Sequence, residues 1–443
     1  MLSTTRRNPP AATAQWITHR QLVVNTKDQY TPPQHVKRTT GQTDRFTVCA
    51  RVRPLLPAEA NDPDMYDCVT VHNGRTVAVH SGEARLMKQR TKHTAFYLDH
   101  VFGPEEGTEV VFQKAVRGAV ASSIPASGVD PVDSTVFLFG KTGTGKSHTI
   151  AGITHLFATD IFNLLHKTKD VAQIGLSILE LVAGTKGFNV SNDFVTDLLN
   201  DSEIVHFRDD EHGVMHLRGA VELPCPNAET LNHHIRTGQS LRRTQATTRN
   251  AGSSRSHLVY LVRIRQKSAS SEDPSSNPIL STITLVDLAG TESKTDTLYH
   301  TDKNQIQDSA SINRTLSTLK ECIRSAAAGS KVIPFRGSVL TRLVKKSFVD
   351  NSVKTVFIGT LSGIPADAEQ SRATVKYMGL VKWRLRDFMV EQEVEHKEEP
   401  NVPVRKMTGP AAKHSYLLLK TPVLHKERPG KRSTGAESQS LDG

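Results

Sequence analysis

Cysteine is scarce in this chain. There are four in 443 residues, Cys49, Cys68, Cys225 and Cys322, and no two stand at CxxC spacing. A zinc site needs closely spaced thiolates and a disulfide framework needs a denser set, so neither is indicated and the pattern suits a reducing cytosol. Aromatic residues reach only 5% and long apolar runs are missing. No stretch approaches the ~20 residues needed to cross a bilayer, so no membrane span is expected. The opening MLSTTRRNPP carries arginines without an apolar segment behind them, so no secretory signal is expected. Acidic residues are absent from the first 27 positions, as in a mitochondrial presequence, but Pro9 and Pro10 oppose the helix such a segment forms.

Negative charge is also in deficit. The formal net charge is +11, which implies an acidic partner: nucleic acid, anionic lipid or an acidic protein polymer. Composition alone leaves those three open. The hydrophobic share of 37% fits a soluble α/β protein with some unstructured sequence. Residues 1–44 are polar and Pro-punctuated and read as a flexible basic leader. Alternation begins at RFTVCARVRPL, and from 45 to 388 strand and helix patterns interleave as one domain. STVFLF (134–139) reads as a buried strand, and HLFATDIFNLLHK (155–167) and LSTLKECIRSAAA (316–328) as helices. SASSEDPSSNP (268–278) reads as a surface loop. Residues 389–443 are charged, then low-complexity, and are expected to be disordered. No heptad series runs for the ~3–4 heptads a coiled coil requires, so the chain is expected to be a monomer or to dimerise through a partner.

FGKTGTGKSHTI (139–150) holds the chemistry. Gly140, Gly145, Lys146 and Ser147 satisfy G-x-x-x-x-G-K-[ST] between a strand-like and a helix-like run. Such a loop, here with Lys141, Thr142, Gly143 and Thr144 between the fixed positions, turns its backbone N–H groups toward phosphates. Lys146 then bridges the β- and γ-oxygens and the Ser147 hydroxyl ligates Mg²⁺. ILSTITLVDLAGTE (279–292) ends a strand pattern on Asp287, placed to hold the Mg²⁺ shell. Gly290, three residues on, can offer its N–H to a γ-phosphate. Guanine-specific enzymes also carry N-K-x-D, which does not occur, so ATP is expected rather than GTP. In NAGSSRSH (250–257), Ser253 and Ser254 can reach the γ-phosphate and Mg²⁺, and Arg255 has an acidic counterpart in Glu292.

RVRP (51–54), FGKTGTGKSHT, NAGSSRSH and DLAGTE, in this order, resemble the four nucleotide motifs of the kinesin motor domain. FYLDHVFG (96–103), VTDLLN (195–200), SINRTLSTLKECI (311–323) and IPFRGSVLTRLV (333–344) extend the resemblance over about 45–388. It implies a P-loop NTPase fold, with a central, mostly parallel twisted sheet and helices on both faces. It also implies a microtubule-dependent ATPase using ATP and Mg²⁺, partnered by tubulin rather than nucleic acid, in the cytoplasm on microtubules of the spindle or axoneme. Arg51, Arg53 and Pro54 would border the adenine and His148 stack near it. Arg255 and Glu292 would pair as Ser253, Ser254 and Gly290 close on the γ-phosphate. The helix holding Arg314, Lys320 and Arg324, with Arg336, Arg342, Lys345 and Lys346, would meet the filament. The motif departs from the family's usual residues at Lys141 (commonly Gln), Ser147 (commonly Thr) and Ile150 (commonly Met). Ser147 keeps the hydroxyl, so activity is expected to survive; a vestigial ATPase is the alternative.

LKECIRS (319–325), PFR within IPFRGS, and Ser347-Phe348 resemble the internal-motor class, kinesin-13, which implies depolymerisation of microtubule ends. Two features depart from that class. Met87, Lys88 and Gln89 stand where it carries Lys-Val-Asp, and the leader has proline where it has a helical basic neck. VAGTKGFNV (182–190) reads as an insertion, by default a solvated loop. A translocating motor is the other expectation.

Overall fold

The computed structural model describes residues 20–33, 45–62, 65–85, 88–126, 128–167, 172–182, 194–211, 215–248, 256–267, 276–290, 303–382 and 388–396. The fold starts from strands such as β6 (Ser134–Phe139), whose six residues are all buried. Its side chains alternate, Val136 and Leu138 joining one apolar cluster and Phe137 and Phe139 another. A strand covered on both faces reads as a continuous apolar run, which is why STVFLF was legible.

Neighbours with the same alternation build an 11-stranded sheet around β6. On one side lie β14 (Lys354–Leu361), β1 (Phe46–Val52) and β5 (His100–Phe102). On the other lie β13 (Ile279–Asp287), β12 (Ser256–Gln266), β7 (Ala172–Val182), β8 (Phe194–Asp197), β9 (Glu203–Asp209) and β10 (Met215–Arg218). A short β11 (Leu223–Cys225) also pairs with β7. Pairing is parallel from β13 through β6, β14 and β1 to β5 and antiparallel from β13 outward to β10. The sheet is therefore mixed rather than mostly parallel. β12 and β13 follow one another in the chain and pair antiparallel, a pairing that needs no crossover.

Helices cover both faces, as expected. On one, α1 (Lys146–Lys167) presents Ile153, Phe157 and Ile161 beside Leu231 and Ile235 of α2 (Ala228–Thr248). Spacing of three and four gives α1 its single apolar stripe. On the other, α3 (Lys303–Ala327) presents Leu316, Leu319, Cys322 and Ile323. The short α4 (Val339–Leu343) adds Val339 and Leu340, and α5 (Ala368–Gly379) adds Val375 and Met378.

A second sheet of four strands has the order β15-β4-β3-β2 (Met389–His396, Lys88–Tyr97, Thr76–Arg85, Val69–His72). It changes both expected boundaries. Within the leader, residues 20–27 are helical, Val23 is fully buried in the main core, and Tyr30 stacks on His93 at 4.7 Å. Lys27 donates to the Asp67 carbonyl at 3.0 Å, and the Tyr97 hydroxyl to the Pro33 carbonyl at 2.7 Å. The apolar group Leu22-Val23-Val24 is too short to show a period, yet tertiary contacts suffice to hold it. Beyond Phe388, β15 pairs with β4 and is flanked by Lys92–Glu391 and Arg90–Glu393 ion pairs at 3.2 and 3.4 Å. Its charge looked like tail composition because its partners lie far back in the chain. Residues 397–443 lie outside the described residues.

Candidate functional site

The parallel strands deliver their carboxyl ends to one edge, where ligands of open α/β sheets bind. The loop from Gly140 to Gly145 leaves β6 there and runs into α1. Three glycines carry it through left-handed backbone: Gly140, Gly143 and Gly145 have φ of 147°, 84° and 95°. At Gly140 the need is also steric, since a Cβ would lie 2.4 Å from Thr360 Oγ1 and 2.6 Å from the Thr360 carbonyl oxygen. Thr144 and Thr360 brace the turn. Their hydroxyls are hydrogen-bonded at 2.7 Å, with the Lys141 carbonyl 2.7 Å from Thr144 Oγ1 and the Phe139 carbonyl 3.0 Å from Thr360 Oγ1, so one hydroxyl donates to the other and that one to its carbonyl. Lys146 is buried in the first turn of α1, its ammonium donating to the Gly140 and Lys141 carbonyls at 2.7 and 3.0 Å. The loop is thus a short arc of backbone closed around a lysine, with Thr142 and Gly143 exposed at its tip.

Asp287 ends β13 opposite Leu138 of β6, one strand from the loop. Arg242 of α2 donates to its Oδ2 at 2.7 Å, while its buried Oδ1 has no hydrogen-bond partner among the described residues. Ser147 is exposed at the start of α1. A hydroxyl at the loop's exit and a carboxylate oxygen without a donor fit a hydrated Mg²⁺, the hard oxygen-seeking cation that accompanies nucleotide phosphates. Arg242 also donates to the Ser256 carbonyl at 2.7 Å and to the Ser256 hydroxyl, which itself donates to Glu180. His257 accepts the Ala289 N–H through Nδ1 at 3.0 Å. Burial first, then the cations Arg242 and Lys146, push its pKa down to about 3, so the ring is neutral. Gly290, at the end of this stretch, is buried.

Arg51 stands near the end of β1, and Arg53 and Pro54 follow it to the same edge. Arg51 is fastened inward, donating to Thr108 Oγ1 at 2.8 Å and Thr149 Oγ1 at 2.9 Å. Arg53 makes a bidentate pair with Glu59, both bonds 2.6 Å. Pro54 and His148 are exposed. Lys141, the unusual residue of the loop, meets Asp367 at 2.9 Å. Ser253, Ser254, Arg255 and Glu292 lie outside the described residues, as do Met87 and the insertion from 183 onward.

The expected filament-facing cations divide by exposure. Arg324, Arg336 and Lys346 are exposed, with Arg324 paired to Glu321 and Lys346 to Asp133. Arg314, Arg342 and Lys345 are half-buried, Arg342 facing Asp209 at 3.3 Å and Lys345 lying 4.8 Å from the Phe335 ring centroid. Lys320 departs from expectation. Its ammonium lies over the Tyr377 ring at 4.8 Å, and burial lowers its pKa, because the α3 face that carries it packs on α5. Sequence reasoning missed Arg242, Glu180, Thr360 and Asp367. None belongs to a phosphate motif, and only the fold brings them to this edge.

Comparison with known proteins fits this geometry. The family model for the kinesin motor domain matches residues 51–382. A curated relative, "Diatom spindle kinesin-1" of Cylindrotheca fusiformis, is 32% identical over 337 residues, covering 76% of this chain and 50% of its own length. The chain thus spans about half of that relative, whose name does not point to the internal-motor class. A solved fast kinesin superposes with TM-score 0.62 at 22% identity, covering 83% of this chain and 98% of that one, which supports the fold.

Proposed function

Because the chain belongs to the kinesin motor-domain family, we propose that it is a microtubule-stimulated ATPase that couples ATP hydrolysis to its grip on the filament. The observation that carries the reading is the glycine loop closed on Lys146, one strand from an Asp287 oxygen with no donor among the described residues. ATP with Mg²⁺ supplies the phosphoryl group and the cation that neutralises its charge. The chain's own residues position and exclude. Backbone N–H groups of 140–147 line the phosphate position, Lys146 can exchange carbonyl partners for phosphate oxygens, and Asp287 can orient metal-bound water. No strong base is required, because positioning and charge stabilisation carry phosphoryl transfer. Ser253, Ser254 and Gly290 sense the terminal phosphate, and Arg255 pairs with Glu292 to close the two loops and order the attacking water.

Reversing a 1:99 equilibrium takes about 5.5 kcal/mol of differential binding. A few charge-assisted bonds at ~1.5–3 kcal/mol each can provide that. The element biased is α3, which follows the Gly290 loop, and its exposed Arg324, with Arg336 and Lys346, meets acidic tubulin. The net charge of +11 agrees. A cytoplasmic, microtubule-associated site follows from this reading.

Translocation and end depolymerisation are the two outputs such an ATPase can have. The relative's name gives depolymerisation no support, and that output rests on LKECIRS, PFR and Ser347-Phe348 alone. The test adds purified protein and ATP to stabilised microtubules while recording filament length and phosphate release. Phosphate release with gliding supports translocation, and shortening supports depolymerisation. Binding without phosphate release would overturn the ATPase reading. Glu292→Ala is expected to keep ATP binding and lose stimulated turnover; unchanged turnover would remove the Arg255–Glu292 closure.

A further inference from the structure

His257 occupies an apolar position. Side chains alternate along β12, and Val259 and Leu261 join the core cluster that holds Leu316 and Leu319 of α3. His257, two residues before Val259, faces the same helix. It is 2% exposed and stands where β12 passes the end of β13, since its neighbour Leu258 is paired with Asp287. From there its Nδ1 accepts the Ala289 N–H at 3.0 Å, next to Gly290. A neutral ring carries one proton, and with Nδ1 accepting, that proton is on Nε2.

Nε2 has no hydrogen-bond partner among the described residues. Buried donors are nearly always paired, so this one calls for a physical reason. His257 borders a void of ≈ 10 Å³ between the sheet and two helices, with Leu181 and Phe194 on the sheet, Thr315 on α3, and Val339 and Leu340 on α4. Apart from His257, Thr315 has the only polar side chain in that described lining, and it is 3% exposed. The N–H without an acceptor thus shares a small gap with a hydroxyl of the helix that follows the Gly290 loop. Helix shifts of about 1–2 Å are common in switching proteins, and a gap with room for about one water is of the size such a shift closes.

We propose that His257 is a positioning residue that couples the phosphate-sensing loop to α3: Nδ1 fixes Ala289 beside Gly290, and Nε2–H donates to the Thr315 hydroxyl only when that loop closes on a γ-phosphate. This deepens the motor reading given above and rests on it. A ligand shifts a two-state element only through interactions that differ between the states. A bond made in one position of α3 and unmade in the other is such an interaction.

The experiment measures microtubule affinity of the full chain in ADP and in the β,γ-imido analogue of ATP, and reads the ratio of the two dissociation constants. A bond present in both states cancels in this ratio. Thr315→Val keeps the side chain's shape and removes the hydroxyl, whereas Thr315→Ser keeps the hydroxyl and removes a methyl. Thr315→Val is expected to bring the ratio about tenfold closer to one, the scale of one buried hydrogen bond left unmade, and Thr315→Ser to leave it within about twofold of the parent. A Thr315 that only packs reverses that order. His257→Asn keeps an acceptor for Ala289, removes the Nε2–H, and is expected to match Thr315→Val. Adding Thr315→Val to it should cost no more than about a further twofold, whereas independent roles would multiply the two losses. The reversed order, an unchanged ratio in Thr315→Val, or multiplied losses overturns the proposal. Should His257→Asn not fold, histidine-selective NMR takes its place. The Nε2 proton is expected downfield in the ATP analogue relative to ADP in the parent but not in Thr315→Val, and a parent shift equal in both nucleotides overturns the proposal. A parent whose microtubule affinity is the same in both nucleotides, seen before any variant is made, overturns the motor reading itself.

Discussion

Arg242 and Asp287 meet at 2.7 Å with side chains only 8% and 4% exposed, and the pair ties α2 to the end of β13 at the metal-fitting carboxylate. The same guanidinium holds the Ser256 backbone, where β12 begins after the NAGSSR segment. Deleting one member of a buried pair leaves an uncompensated charge and typically costs about 3–5 kcal/mol. Arg242→Ala is therefore expected to lower unfolding free energy by about that amount, read by urea denaturation. A loss below about 1 kcal/mol would show that the pair is solvated in practice.

Gly140 and Gly143 both have positive φ, but only Gly140 is crowded by Thr360. Gly140→Ala adds a clash with backbone and hydroxyl to a backbone strain of about 1–3 kcal/mol. Nucleotide affinity should fall at least about tenfold, against a smaller change for Gly143→Ala, whose Cβ would meet nothing within 4 Å. Titration of a fluorescent nucleotide checks the ranking, and equal losses would contradict it.

His257 and His80 are both held neutral, their pKa values pushed down to about 3. Burial leads in each case, followed for His257 by Arg242 and Lys146 and for His80 by His93, whose Nδ1 is 2.7 Å from its own. Unfolded histidines titrate near ~6.5, so between roughly pH 6.5 and 3 the unfolded chain binds more protons and stability falls with acid. Above that window these groups contribute no slope. Denaturation at pH 7 and 5 should show the loss, and NMR should find both rings untitrated down to about pH 4. A ring titrating near 6.5 would refute its burial.

Phe388 is fully buried and packs on Phe96, with ring centroids 6.1 Å apart. Gly379 belongs to the same contact, since a Cβ there would come within 2.0 Å of the Phe388 ring. Phe388→Ala is expected to cost about 3–5 kcal/mol. Thermal denaturation within a degree of the parent would contradict the packing of Phe388 on Phe96.

Lys346 is 71% exposed and its bridge to Asp133 is a surface pair. Such pairs contribute about 0–1 kcal/mol, so Lys346→Ala should leave stability unchanged within about 0.5 kcal/mol. Microtubule affinity should fall and its salt dependence flatten, as for Arg336→Ala. Lys320→Ala should lower stability instead, through lost packing on Tyr377. Cosedimentation across a salt series, with melting curves, separates the two behaviours.

Much of the site was legible because its chemistry is local. A phosphate loop needs glycine, lysine and a hydroxyl at fixed spacing in one stretch, and Gly140 to Ser147 supply all three without help from elsewhere. The β6 strand and the α1 stripe were readable for the same reason, as burial alternates over two or about four residues. The mixed pairing of the sheet was not, since connection length and handedness belong to pairs of strands rather than to any one.

The sequence by itself determined the spacing of the glycine loop, where its strand and helix lie, and the sign of the chain's own net charge. Tertiary structure alone decided which charges are neutralised and which remain to act. Asp287 and Arg242 are 45 positions apart, Lys141 and Asp367 226, and Arg90 and Glu393 303. Electrostatic and packing energies depend on distance through space and on exclusion of water, and folding sets both for residues whose separation along the chain carries no trace of it.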